Sequence, residues 1–386
     1  MIVDTHVYCF RAPDEPAGHA TGAEHLGYWQ WAYALHHQPP IRTRDHALVP
    51  GADRRLLDPT PDEPLRRATN RNFRVDHATK RLLWTVDGDD YTKVYIPPNT
   101  LEFTPGMLIA EMDYAGVDWA LNHVDMALDK DNDFFAECVR LYPDRLRSMV
   151  QVDEWRIPTE PDAVIREVTD AVRVKGLSAL KIIPEYGYRI AGSASFDGPA
   201  RRPFWDAVSG LGVPIFFTLG ATPGFADERA GFINELNTLK RMSSRYPDLK
   251  VSVTHGFPWR AFLNADRSGF DMPAAMWEPF ADSRIHLEVS FPIRIGDVVD
   301  YPYRECWPML EALVEHIGAD RLVWGTDMPF QNRFCTYRQS RDYIERYAPA
   351  FLGADQIAAI MGGTAARLLD LPGAVPAGAS GSSSAA

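Results

Sequence analysis

Eight short apolar runs, separated by helical patterns, constrain this sequence more than any other feature. They span residues 2–8, 119–124, 146–152, 178–183, 214–219, 250–254, 285–289 and 321–325. Near-continuous stretches of β-branched and aliphatic residues suit strands buried on both faces, as in a parallel sheet. Between them, residues 163–174, 204–211, 232–246 and 309–317 repeat apolar positions at helical spacing. Gly176, Pro203 and Pro247 punctuate these patterns. Eight parallel strands alternating with helices close into a barrel, so the expected fold is α/β, a (β/α)8 TIM barrel.

The spacing is uneven in one place. Residues 11–105, rich in Pro, Arg, His and aromatic residues, separate the first strand from the second. Plain barrel loops are much shorter, so this stretch is expected to be a long insertion after the first strand, with a small hairpin around 82–94. Insertions of this kind cap the catalytic end of a barrel or build a subunit contact. The expected organisation is one barrel domain over 1–372 and a disordered tail over 373–386, where Gly, Ala, Ser and Pro leave little to bury.

Composition narrows the function. A formal net charge of -12 argues against a nucleic-acid partner, which needs a basic face. No apolar run reaches the roughly 20 residues of a membrane span. Residues 1–6 lack the pattern of a signal peptide. Cys9, Cys138, Cys306 and Cys335 form no CxxC pair, and reduced thiols in a cytoplasmic protein are the expectation.

Catalytic side chains of such a barrel stand at the carboxyl ends of its strands. The first strand presents His6 and Tyr8 on one side. The second ends at His123, the fourth carries Lys181, the fifth Thr218, the sixth His255, the seventh Glu288 and the eighth Asp327. A carboxylate at the end of a buried strand is costly unless it is paired or used, which singles out Asp327. His255 precedes Gly256, a residue that lets backbone approach a ligand.

Several of these segments resemble the amidohydrolase-related family. They are Asp4-Thr5-His6, Val253-Thr254-His255-Gly256 and Trp324-Gly325-Thr326-Asp327-Met328-Pro329. Further matches are Met112-Asp113-Tyr114-Ala115-Gly116-Val117-Asp118 and Gly363-Thr364-Ala365-Ala366-Arg367-Leu368-Leu369, so the likeness runs from residue 1 to about 372. This branch contains hydrolases, lactonases and non-oxidative decarboxylases. The resemblance implies one divalent metal (Zn or Mn), bound by a pair on the first strand, a histidine on the fifth and an aspartate on the eighth. Here His6 and Asp327 are kept, but Tyr8 and Thr218 stand where ligands are usual.

Two readings of that site follow. A metal can bind through His6, Asp327 and His255. Alternatively no metal binds, which the two replacements favour, because losing ligands costs most of the affinity. In that case Asp327 activates water as general base while His255, His6 and Lys181 serve the reaction. Tyr8, Thr218, His123 and Glu288 are then candidates to contact substrate. The expected function is hydrolysis of a small lactone, ester or amide. Non-oxidative decarboxylation of a small aromatic or unsaturated acid is the alternative, and an inactive ligand-binding relic the third class. His6 also admits a purely structural role, with Asp4 fixing its ring. His36 and His37 read as surface or lid residues. Tyr28, Trp29, Trp31 and Tyr33 suit a flat ligand, internal packing or a dimer contact, and the resemblance carries an expectation of a homo-oligomer.

Overall fold

The structure, a computed structural model, describes residues 1–58, 68–191, 195–281 and 283–374. Its main sheet has eight strands, β1 (Val3–Tyr8), β6 (Trp119–His123), β7 (Leu146–Val150), β8 (Ala179–Ile182), β9 (Ile215–Phe217), β10 (Val251–Val253), β11 (His286–Val289) and β12 (Leu322–Trp324), in that order. All neighbours pair in parallel. The first and last edges meet as well. Asp327 N donates to His6 O at 2.8 Å and Tyr8 N to Met328 O at 2.7 Å, which closes the barrel. All eight apolar runs are therefore strands of a (β/α)8 barrel.

These strands are buried along nearly their whole length, and that is why they read as continuous apolar runs. The register of β1 against β6 shifts between Asp4 and Val7, an irregularity that re-aims the His6 segment beside the site. The expected helical stretches fold as helices Pro161–Arg173, Arg202–Ser209, Glu228–Arg245 and Trp307–His316. Each starts a few residues before its apolar pattern. Three of them begin with proline in the first turn, where the missing N–H costs nothing.

The long insertion leaves and re-enters the barrel at one point, where Phe10 and Phe103 exchange backbone hydrogen bonds at 3.0 Å. Between them lie helix α1 (Gly22–Leu35) and four strands: β2 (Ile41–Arg42), β3 (Arg74–Asp76), β4 (Arg81–Val86) and β5 (Asp89–Thr92). These form an antiparallel sheet in the order β2-β5-β4-β3. Strands β4 and β5 are the expected hairpin. Asp87 and Gly88, both with positive φ, make its two-residue turn, the kind whose twist matches the flanking strands. Thr21 caps α1 by accepting from Glu24 N at 3.1 Å. At the other end, buried Lys93 donates to Tyr33 O and His36 O and pairs with Asp53, which places a cation at the helix C-terminus.

The aromatic residues of α1 serve packing. Trp29 and Tyr33 are buried in the main core, and Trp31 packs in a smaller cluster with Met126, Ile183 and Tyr186. The tail expected over 373–386 lies outside the described residues except for Gly373 and Ala374. Among the described residues no helix is long and apolar enough to cross a membrane.

Candidate active site

His6 is the centre of the site. It is fully buried, and its ring Nδ1 lies 3.0 and 3.1 Å from the two carboxylate oxygens of Glu288. Its Nε2 faces Asp327 Oδ1 at 3.1 Å and the Tyr8 hydroxyl at 3.1 Å. Asp4, expected as a partner for the ring, instead accepts from the His6 backbone N–H at 2.9 Å. It also accepts from Thr326 N and Oγ1 and from the Tyr337 hydroxyl. Asp4 thus ties the β1 and β12 ends together, and Glu288 sets the imidazole.

Local backbone explains how the groups come so close. Both His255 and Asp327 have φ of 65°, the left-handed region that non-glycine residues rarely adopt. Sparse conformations of this kind concentrate at functional sites, where surrounding structure enforces them. Two glycines provide the room. A Cβ on Gly325 would sit 2.7 Å from the Glu288 carboxyl carbon and 3.0 Å from the His6 Cβ. A Cβ on Gly256 would meet the Glu288 carbonyl oxygen at 2.8 Å.

Above His6 opens a cavity of about 250 Å³, walled by Tyr8, Tyr95 and Phe330 and carrying Lys181, Arg294 and Arg333. Thr218, His255 and Asp327 also line it. The insertion contributes Tyr95 together with His36 and His37, which line the cavity. His123 and Glu288 lie outside this lining. His123 stacks on His6 with ring centroids 3.8 Å apart, and its Nε2 bonds Thr5 O at 2.7 Å. Lys181 donates to the Tyr8 hydroxyl at 2.7 Å. A larger groove of about 720 Å³ beside Phe103, Met107 and Tyr114 contains none of the strand-end groups.

Charge is strongly organised here. Burial disfavours the charged form of His6, but Glu288 and Asp327 outweigh it and raise the imidazole to about 9. Burial works against the Asp327 carboxylate too, yet His6, His255 and Lys181 hold it well below the usual carboxylate range. Burial, reinforced by His6, lowers His255 to about 3, so that ring is neutral at pH 7. Burial also lowers Lys181, against the pull of Asp125 and Asp327.

The donor set fits one divalent cation. Ligand atoms of His6, His255 and Asp327 all lie within 4.8 Å of one another, and three such ligands with an open position suffice for a catalytic metal. The Glu288 carboxylate on the far nitrogen of His6 is the arrangement that orients a metal-bound imidazole. Two buried polar atoms beside the cluster, His255 Nδ1 and Thr218 Oγ1, have no hydrogen-bond partner among the described residues. This geometry weighs against the expected metal-free site, which rested on Tyr8 and Thr218 alone.

Comparison with known proteins agrees with the fold and the motifs. The family model described as amidohydrolase matches residues 101–371. This chain belongs to the amidohydrolase family. The gamma-resorcylate decarboxylase of Polaromonas sp. (strain JS666) is 26% identical over 235 residues, covering 52% of this chain and 65% of that protein. The match spans just under two thirds of that relative's length. The crystal structure of 2,6-dihydroxybenzoate decarboxylase from Rhizobium superposes with a TM-score of 0.51 at 19% identity, covering 71% of this chain and 90% of the other. A probable 2-pyrone-4,6-dicarboxylic acid hydrolase from Acinetobacter baumannii gives 0.51 at 14% identity over 72% and 91%. At these identities the solved structures share the fold alone. The curated relative is a decarboxylase, and this overturns the expectation of a lactone, ester or amide hydrolase with Asp327 activating water.

Sequence reasoning missed Arg294, Arg333 and Tyr95. The first two follow β11 and β12 closely, which was a usable signal. Tyr95 reaches the cavity only because the insertion folds back over the barrel mouth.

Proposed function

We propose that this protein is a non-oxidative decarboxylase of a small aromatic carboxylic acid, working with one divalent cation held by His6, His255 and Asp327. The observation that carries this reading is the cavity itself. Aromatic walls (Tyr8, Tyr95, Phe330) suit a planar ring, and Lys181, Arg294 and Arg333 suit its negative charge, next to the Asp327 carboxylate. The curated decarboxylase relative supports it.

The chemistry asked of the site is modest. The carbon–carboxyl bond breaks, CO2 leaves, and the electron pair left on the ring carbon takes up a proton. A bound cation would draw electron density from oxygen substituents of the substrate. The substrate arrives as its carboxylate, and Asp327, ionised at rest, relays one proton taken up from solvent to the ring carbon, so that carboxylate and proton together give the arene and CO2. Glu288 keeps His6 fixed. The aromatic walls exclude water and hold the ring in place. The four cysteines are buried and free, which supports a reducing, cytoplasmic setting.

The test is CO2 release from 2,6-dihydroxybenzoate and related hydroxybenzoates, with metal analysis of the same protein. About one divalent cation per chain is expected, with activity lost to a chelator and restored by manganese or zinc. Asp327→Asn should lose at least ~10²-fold in rate, the usual worth of a positioned acid–base group. Turnover that survives complete metal removal, or near-normal rates in Asp327→Asn, would sink the assignment.

A further inference from the structure

The return segment of the insertion is a partition between two spaces. Tyr95 lines the active cavity, while its neighbours Val94 and Ile96 line a second pocket of about 230 Å³ inside the insertion. Tyr33 of α1, Ile41 of β2 and Leu82 of β4 form its other walls. These walls belong to the packed interior: Leu82 is 0% exposed and Tyr33 1%.

The polar groups of this pocket are of one kind. Among the described residues every ionisable side chain that lines it, apart from Tyr33, is a base: His46, Lys80, Arg81 and Lys93. No carboxylate faces it, on a chain whose net charge is -12. Lys93 is already matched by Asp53, Tyr33 O and His36 O. Lys80 and Arg81 are exposed, and among the described residues neither side chain has a hydrogen bond or a carboxylate within 4.0 Å. The Tyr33 hydroxyl also makes no hydrogen bond among the described residues, although hydroxyls of such buried residues are normally paired.

Exposed cations alone ask for nothing, because water solvates them. Set over an apolar hollow with an unmet hydroxyl, they select a ligand with an apolar body and an anionic head. Size and wall chemistry narrow it further. An apolar cavity of about 150 Å³ takes up benzene, so this one has room for a body of about six carbons and a carboxylate. Its walls of Ile41, Leu82, Val94 and Ile96 suit an aliphatic chain, in contrast to the aromatic walls of the active cavity.

We propose that this pocket is a second ligand site, for a small aliphatic carboxylate, and that its ligand acts on the active cavity through Tyr95. The Tyr33 ring meets Tyr95 edge-on, with centroids 5.4 Å apart and planes at 84°. From the cavity side Arg333 donates to Val94 O at 3.4 Å. A ligand seated against Val94 and Ile96 orders the segment that also carries Tyr95, and ordering a shared wall couples the two spaces. The claim does not rest on the decarboxylase reading, because it is tested without turnover.

The experiment is titration calorimetry with hexanoate on the manganese-supplemented protein, with hexan-1-ol as the uncharged control and hydrogen exchange to place the ligand. Hexanoate should bind at least ~3-fold more tightly than hexan-1-ol, the scale of two exposed ion pairs. The double variant Lys80→Gln, Arg81→Gln should remove that preference. Both residues are exposed, so the replacement leaves the core untouched. Tyr33→Phe should weaken hexanoate by about threefold or more, the scale of one hydrogen bond to a charged group. Amides of residues 92–96 should exchange more slowly with hexanoate bound, which reports the ordering of the partition. A preference undiminished in the double variant, or an affinity unchanged by Tyr33→Phe, would overturn the proposal. So would protection confined to the segments that carry His255 and Asp327, which would place hexanoate in the active cavity instead.

Discussion

Glu288 grips His6 from below, with both carboxylate oxygens within 3.1 Å of the ring Nδ1. Neither group is exposed to solvent. The contact fixes which imidazole nitrogen faces the cavity and keeps Nε2 beside Asp327.

If this contact prepares His6 as a metal ligand, Glu288→Gln should weaken manganese or zinc affinity by roughly 10–100-fold, the range seen when such supporting carboxylates are removed. Competition with a fluorescent chelator measures it. Unchanged affinity would mean that His6 does not ligate.

A second prediction uses the two replaced positions. Tyr8 and Thr218 both face the cavity, and the Thr218 hydroxyl has no hydrogen-bond partner among the described residues. Tyr8→His combined with Thr218→His should bind a divalent cation more tightly than the parent protein, by calorimetry. No gain would show that one of these side chains is too far from His6 and Asp327 to share an ion.

A third concerns pH and stability. Glu154 Oε1 accepts from Ile183 N at 2.7 Å, while Oε2 is buried with no hydrogen-bond partner among the described residues. Burial raises its carboxyl to about 8. The folded protein therefore keeps a proton that the unfolded chain releases above its ordinary value of 4.5. Stability from this group is full below that value and is lost as pH rises toward 8, at about 1.4 kcal/mol per unit. Urea unfolding of Glu154→Gln beside the parent at pH 5 and pH 8 isolates the effect. The variant should gain on the parent at pH 8. Parallel behaviour at both pH values would refute a protonated Glu154.

The barrel was legible because its strands are buried on both faces and so must be apolar throughout; residues 178–183 and 214–219 stand out for that reason. Strand-end placement also brought His6, His255, Asp327 and Lys181 into one site. What could not be read was contact across the fold. Glu288 has the alternation of a strand residue, and nothing local says that it meets a ring 282 positions away. Similarly, His36 and Tyr95 join the cavity only through the docking of α1 and its sheet, which Lys93 stabilises by gathering two carbonyls and a carboxylate. A strand-end carboxylate such as Asp327 does not by itself distinguish hydrolysis from decarboxylation. The aromatic and cationic wall of the cavity is assembled from distant segments.

His6 and Asp327 sit on the first and last strands, joined where Asp327 N meets His6 O. Any ion shared by these two side chains bridges the zip of the cylinder. Its binding free energy adds directly to the resistance of that zip to opening. Catalytic competence and the mechanical closure of the molecule are then one property, gained together when the two ends of the chain find each other.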